Sequence, residues 1–258
     1  MSGKAILVVS FGTSHEDSKK KTIEAIEERI AQEFKEYKIY RAFTSKMIIK
    51  KLADSGIAIM TVQEALQQIK ADGIRELIVQ PTHVINGIEN DEMMENIKAV
   101  EEEFDSIAVG RPLLNDTKDY KKLAQAVIED NVLEEDEVLM LMGHGSSHYS
   151  NSAYPALEYV FKEMGYSNIL VGTVEGYPSF EEAKKQLDKT RKRKVTLLPL
   201  MIVAGDHAKN DMAGEEDSWR SILEQEGYQV SCRMKGLGEL CRVQEQFVEH
   251  IKAAMNTR

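Results

Sequence analysis

The chain alternates short, continuous apolar runs with longer stretches in which apolar residues recur every three or four positions. The first kind comprises AILVVSF (5–11), KIYRAF (38–43) and ELIVQ (76–80), with IAVG (107–110) a fourth candidate. EVLMLM (137–142), ILVGTV (169–174), KVTLLPL (194–200) and the weaker QVSCR (229–233) repeat the series. These runs predict strands. Helical periodicity covers 19–33, 61–71, 89–103, 153–164, 179–189, a segment near 215–226 and a last one near 240–255. Strands that alternate with helices predict parallel sheets covered on both faces.

The same pattern occurs twice. AILVVSFGTSH (5–15) lies over VLMLMGHGSSH (138–148), with 133 residues between the final histidines. TVQEALQQI (61–69) lies over SFEEAKKQL (179–187) at an offset of 118, and both carry the S/T-x-x-E form of a capping box. IVQP (78–81) falls on TLLP (196–199) at that same offset, as does Gly87 on Gly205. Extra residues around 47–60 absorb the change of offset. The fold class expected is α/β: two similar Rossmann-like halves, each a parallel sheet flanked by helices, arising by internal duplication. The halves are placed at 1–130 and 131–258, with a cleft between them.

In open α/β sheets, ligands bind beyond the carboxyl ends of the strands. Three loops of the second half carry unusual residues there: His144 in MGHGSSH, Glu175 in GTVEGYP and His207 in PLMIVAGDHAKND. Two imidazoles and a carboxylate form a nitrogen/oxygen set suited to a divalent first-row metal such as Fe, Co, Ni or Zn. An imidazole can also accept protons near neutrality. Taken singly, a histidine at a strand end reads more often as a hydrogen-bonded structural residue; three such residues at equivalent strand ends bring the two readings level. In the first half Phe11 stands in place of His144, Ser45 approximately in place of Glu175 and Glu89 in place of His207. Ligand-type residues are thus concentrated in one half, an asymmetry suited to a flat hydrophobic ligand with a reactive centre. His148 reads as a helix cap, and His83, which overlies Met201, as a buried or ligand-lining residue.

Composition narrows the choices. The 258 residues are 42% hydrophobic and 29% charged, with a net charge of −10, which argues against nucleic acid or an anionic membrane as partner. There is no apolar stretch of membrane-spanning length. Cys232 and Cys241 lack a CxxC pattern and read as reduced thiols of a cytoplasmic protein. Gly143-x-Gly145-x-x-His148 lacks the third glycine of a dinucleotide fingerprint, and neither a GxxxxGK[ST] loop nor a GxSxG elbow occurs. Nucleotide-driven and serine-hydrolase chemistry fall away.

LVVSFGTS (7–14), RAFTS (41–45), MGHGSSH (142–148), VEGYP (174–178), PLMIVAGDHAKNDM (199–212), DSW (217–219) and GLGE (236–239) resemble the anaerobic sirohydrochlorin cobaltochelatases of cobalamin biosynthesis. These are ATP-independent chelatases related to ferrochelatase. The resemblance implies ligation of the metal by His144, Glu175 and His207, with His144 also the proton acceptor. It implies no cofactor beyond the substrate metal: Co2+, with Fe2+ or Ni2+ as alternatives, and no ATP. The organic partner is a sirohydrochlorin-type tetrapyrrole. Contacts to it are expected from Ser10, Phe11, Thr13, Arg41, Phe43, Lys46, Glu89, Ala204 and Gly205, with Arg111 and Lys209 weaker cationic candidates. An Fe2+ chelatase for sirohaem and a non-catalytic tetrapyrrole or metal carrier are the alternative functions. A homo-oligomer is left open.

Overall fold

A computed structural model describes residues 3–256. Strands β1 (Lys4–Ser10), β2 (Lys38–Phe43), β3 (Glu76–Pro81) and β4 (Ser106–Val109) form one sheet in the order β2-β1-β3-β4. Strands β5 (Glu137–Gly143), β6 (Ile169–Thr173), β7 (Lys194–Pro199) and β8 (Gln229–Cys232) form a second in the order β6-β5-β7-β8. All pairings are parallel. The central strands β1 and β5 are buried from their second residue onward. That is why their sequences are continuous apolar runs rather than alternations.

The helices are α1 (Glu16–Lys19), which runs through a π-helical turn at Lys20–Glu24 into α2 (Ala25–Glu33), then α3 (Lys46–Asp54), α4 (Val62–Ala71), α5 (Ile88–Lys98) and α6 (Thr117–Asp130). In the remainder of the chain they are α7 (Ala153–Glu163), α8 (Phe180–Thr190), α9 (Trp219–Gln225) and α10 (Cys241–Met255). Helices α4 and α8 both begin with the expected capping box, from Thr61 and Ser179. Among the described residues, no helix is long and apolar enough to cross a membrane.

The duplication extends to single backbone bonds. Ser45 N–H donates to Phe11 O at 3.1 Å, as Glu175 N–H does to His144 O at 2.8 Å. Leu113 N–H donates to His83 O and Leu237 N–H to Met201 O, and Asp91 and Lys209 donate to Gly87 and Gly205. Phe43 bridges Thr61 as Thr173 bridges Ser179. The residue equivalences read from the sequence are therefore equivalences of backbone position.

Helices α3 and α6 are additions to the predicted pattern. Helix α3 occupies the extra residues of the first half and is started by Ser45, whose hydroxyl accepts from Ile48 N–H. Helix α6 is capped by an Asp116–Asp119 box, a variant of the S/T-x-x-E signature. Two compact units emerge: one spans the chain up to Asn115 together with α10, the other Asp116–Leu240. This differs from the division at 130/131 expected from the repeat. Each unit holds the helix that closes the other copy: α10 packs on α2, β3 and β4 with Val243, Phe247 and Ile251 buried, while α6 packs on α7.

Candidate metal centre

The second unit alone contains the three ligand candidates. The loop after β5 turns at Gly145, which has φ +85°, and lies against the loop after β6. Val174 N–H donates to Gly143 O at 3.0 Å, and Glu175 N–H to His144 O at 2.8 Å, so the two loops continue the parallel ladder beyond the strands. Asn151 ties them again: its Oδ1 accepts from Ser146 N–H at 3.0 Å and its Nδ2 donates to Tyr177 O at 2.6 Å. Residue 151 carries no motif that would have flagged it. His207 follows β7 at the start of a helical turn in which Lys209 N–H bonds Gly205 O at 3.1 Å.

One ligand atom each from His144, Glu175 and His207 lies within 4.8 Å of the others. The imidazole rings meet edge to face, centroids 4.6 Å apart and planes at 89°. His144 Nδ1 lies 3.9 Å from Glu175 Oε2. The side chains of His144, Glu175 and His207 are 38%, 60% and 36% exposed, so the set opens to solvent on one side. Two imidazoles and a carboxylate with an open side suit an ion that is picked up and passed on, whereas a closed thiolate cage would retain it.

A Cβ on Gly145 would come within 2.5 Å of Gly176 N and 2.9 Å of the Glu175 carbonyl carbon. Gly145→Ala is therefore expected to push the His144 and Glu175 loops apart. Its backbone strain should lower unfolding free energy by about 1–3 kcal/mol, and Co2+ affinity should fall with it. A chemical melt and a cobalt titration check both; wild-type cobalt affinity in the variant would show that the close loop contact does not set the site.

Comparison with known proteins decides the lineage. The family model for Cobalt chelatase (CbiK) matches residues 4–256. The chain belongs to this family. It is 39% identical to a sirohydrochlorin cobaltochelatase of Salmonella typhimurium over 98% of this chain and 97% of the relative. It is 28% identical to the sirohydrochlorin cobaltochelatase CbiKC of Nitratidesulfovibrio vulgaris over 99% and 92% of the two chains. A solved structure of SirB from Bacillus subtilis with Fe3+ shares the fold at TM-score 0.70 and 17% identity, covering 98% of this chain and 96% of that one.

In this cobalt chelatase family member the remaining sequence candidates fall into distinct settings. His148 is a cap, as expected: its Nδ1 accepts from Ser150 N–H at 3.2 Å. Ala204 is buried and Gly205 half-buried, both in the loop before His207. In the first unit Phe11 is 40% exposed at the end of β1, Glu89 half-buried in the first turn of α5 and Lys46 exposed at the start of α3. Arg111 is half-buried and Lys209 exposed.

Four further candidates, Ser10, Thr13, Arg41 and Phe43, are buried or hydrogen-bonded within the first unit. Phe43 is buried to 1% exposure, its ring so close to Gly12, which has φ +103°, that a Cβ there would come within 2.4 Å of it. Ser10 is buried and accepts a hydrogen bond from Thr82 Oγ1 at 2.8 Å, and Thr13 Oγ1 accepts from His15 N–H at 3.1 Å. Arg41 Nε donates to Glu27 Oε1 at 2.8 Å, and its Nη2 bonds Glu27 again and lies 3.3 Å from Glu24. Burial pushes the Glu27 carboxyl up and Arg41 draws it back.

Proposed function

We propose that this protein inserts Co2+ into sirohydrochlorin without ATP, in the anaerobic route to cobalamin, with His144, Glu175 and His207 as transient metal ligands. The convergence of three ligand atoms within 4.8 Å from three separate strand-end loops carries the reading. Membership of the cobalt chelatase family and the two cobaltochelatase relatives support it.

Insertion exchanges two pyrrole protons for one divalent ion. The protein therefore needs donors that bind the ion and then yield it to ring nitrogens, together with a base. His144 serves both needs in turn, because a neutral imidazole ligates or accepts a proton and an imidazolium does neither. Its exposed side passes each proton on to water. Glu175 partly neutralises the ion during exchange and supplies an oxygen donor that pyrrole nitrogens can displace.

The test is an absorbance assay with purified protein, sirohydrochlorin and Co2+ in the absence of nucleotide. Repeated turnover above the uncatalysed rate is expected. Stoichiometric binding of ring and metal with no turnover makes the protein a carrier, and turnover with Fe2+ but not Co2+ makes it a chelatase of the sirohaem route; either overturns the reading.

A further inference from the structure

Asp211 stands four residues beyond His207 on the same wide turn, where the helix passes into a π-helical segment at Ala208–Met212. His207 Nδ1 donates to Asp211 Oδ2 at 2.8 Å. A carboxylate only accepts, so the proton sits on Nδ1 and the lone pair of Nε2 is left for a ligand. His144 reaches the same tautomer differently, with Nδ1 donating to the neutral carbonyl of Gly145 at 3.0 Å. The two imidazoles that face one another thus differ in the acceptor hydrogen-bonded at Nδ1: the Asp211 carboxylate at 2.8 Å for His207 and the Gly145 carbonyl at 3.0 Å for His144, whose Nδ1 has the Glu175 carboxylate beyond hydrogen-bond reach at 3.9 Å.

The repeat isolates this pair. At the offset of 118 that relates Gly87 to Gly205, His207 falls on Glu89 and Asp211 on Met93. Met93 is fully buried in the apolar core of the first unit. The half without the histidine therefore also lacks the carboxylate. Stability does not account for Asp211, since the pair is 36% and 44% exposed and ion pairs so open to water contribute little.

We propose that Asp211 is a positioning residue for the metal centre. It aims His207 Nε2 at the ion and strengthens it as a donor, so that His207 holds cobalt longest and His144 lets go first. The inference rests on the metal-site reading proposed above. It links two steps: as one pyrrole nitrogen forms its bond to cobalt, the bond from cobalt to His144 Nε2 breaks. The lone pair so released takes that pyrrole's proton, and His144 passes it to water. A carboxylate behind a ligating histidine is a recurrent way to orient the ring and raise its basicity.

The experiment titrates Co2+ into the full-length protein without tetrapyrrole, by calorimetry and by the visible d–d absorption of the ion, for wild type, Asp211→Asn, Asp211→Ala, His207→Ala and His144→Ala. Asparagine keeps an acceptor oxygen and removes the charge. Cobalt affinity is expected to fall about 10-fold in Asp211→Asn and up to about 100-fold in Asp211→Ala, with a changed d–d spectrum and an unchanged melt of the metal-free protein. In turnover, KM for cobalt should rise by the same factors with kcat held within about threefold. Wild-type cobalt affinity in both Asp211 variants, alongside loss in His207→Ala, leaves Asp211 a surface ion pair and overturns the proposal. A fall in kcat with unchanged affinity overturns it equally, because retention of the ion would not depend on the charge. Wild-type affinity in His207→Ala and in His144→Ala removes the metal-site reading itself.

Discussion

His144→Ala should cut ATP-free cobalt insertion by about 10²–10⁴-fold, the range in which a positioned proton acceptor acts. The loss should persist at saturating Co2+, because added metal replaces a weakened ligand but not a base. A general acceptor such as added imidazole should restore part of the rate. The metal-free fold should be untouched, since the side chain is 38% exposed and its loop is held by backbone bonds from Val174 and Glu175. The measurement is the initial rate of insertion across a cobalt series, with a chemical melt beside it. Full recovery by cobalt alone would reduce His144 to a ligand and move proton removal to another group. Glu175→Gln separates the two tasks further, since it weakens the metal centre while leaving the imidazole in place.

The second large effect concerns stability and lies in the first unit. His83 is buried in the first unit just beyond β3, its Nε2 3.4 Å from Thr44 Oγ1 and its Nδ1 without a hydrogen-bond partner among the described residues. Burial alone lowers its pKa from 6.5 to about 4. The folded chain therefore binds this proton less tightly than the unfolded chain does. The stability associated with a neutral His83 is complete above the unfolded value and lost as pH falls from about 6.5 towards 4. That loss amounts to about 3 kcal/mol, at ~1.4 kcal/mol for each pH unit between the two values. His83→Met, which installs the residue found at the equivalent Met201, should remove this component. The check is the slope of unfolding free energy against pH for both proteins, because carboxylates common to the two cancel in the difference. Wild type should take up about one more proton on unfolding near pH 5 than the variant; equal slopes would falsify the assignment.

Sequence alone determined the repeated α/β plan, and the reason is burial. Parallel strands covered on both faces must be apolar throughout, so β1, β3, β5 and β7 stand out as uninterrupted runs, and the helices α4 and α8 announce themselves by their capping boxes. It also brought His144, Glu175 and His207 to notice, because a residue at the carboxyl end of a parallel strand is placed by its strand, whatever else surrounds it. Helices α3 and α6 escaped because one fills an insertion outside the repeat and the other is capped by aspartates.

What the tertiary structure decided are the contacts between side chains that no local pattern records. Phe43 is aromatic and adjacent to a glycine-hydroxyl loop, yet its ring is buried against Gly12. Arg41 is a cation on a strand, yet Glu27 and Glu24 on the preceding helical segment claim it. Helices α6 and α10 close their repeats in sequence and join the opposite units in space. Asp211 lay in view within AGDHAKND, but only the geometry of the turn shows its carboxylate 2.8 Å from His207. Periodicity reports how much water each position of an element sees; which charge or ring fills the space opposite depends on residues distant in the chain, and that is fixed only when the chain has folded.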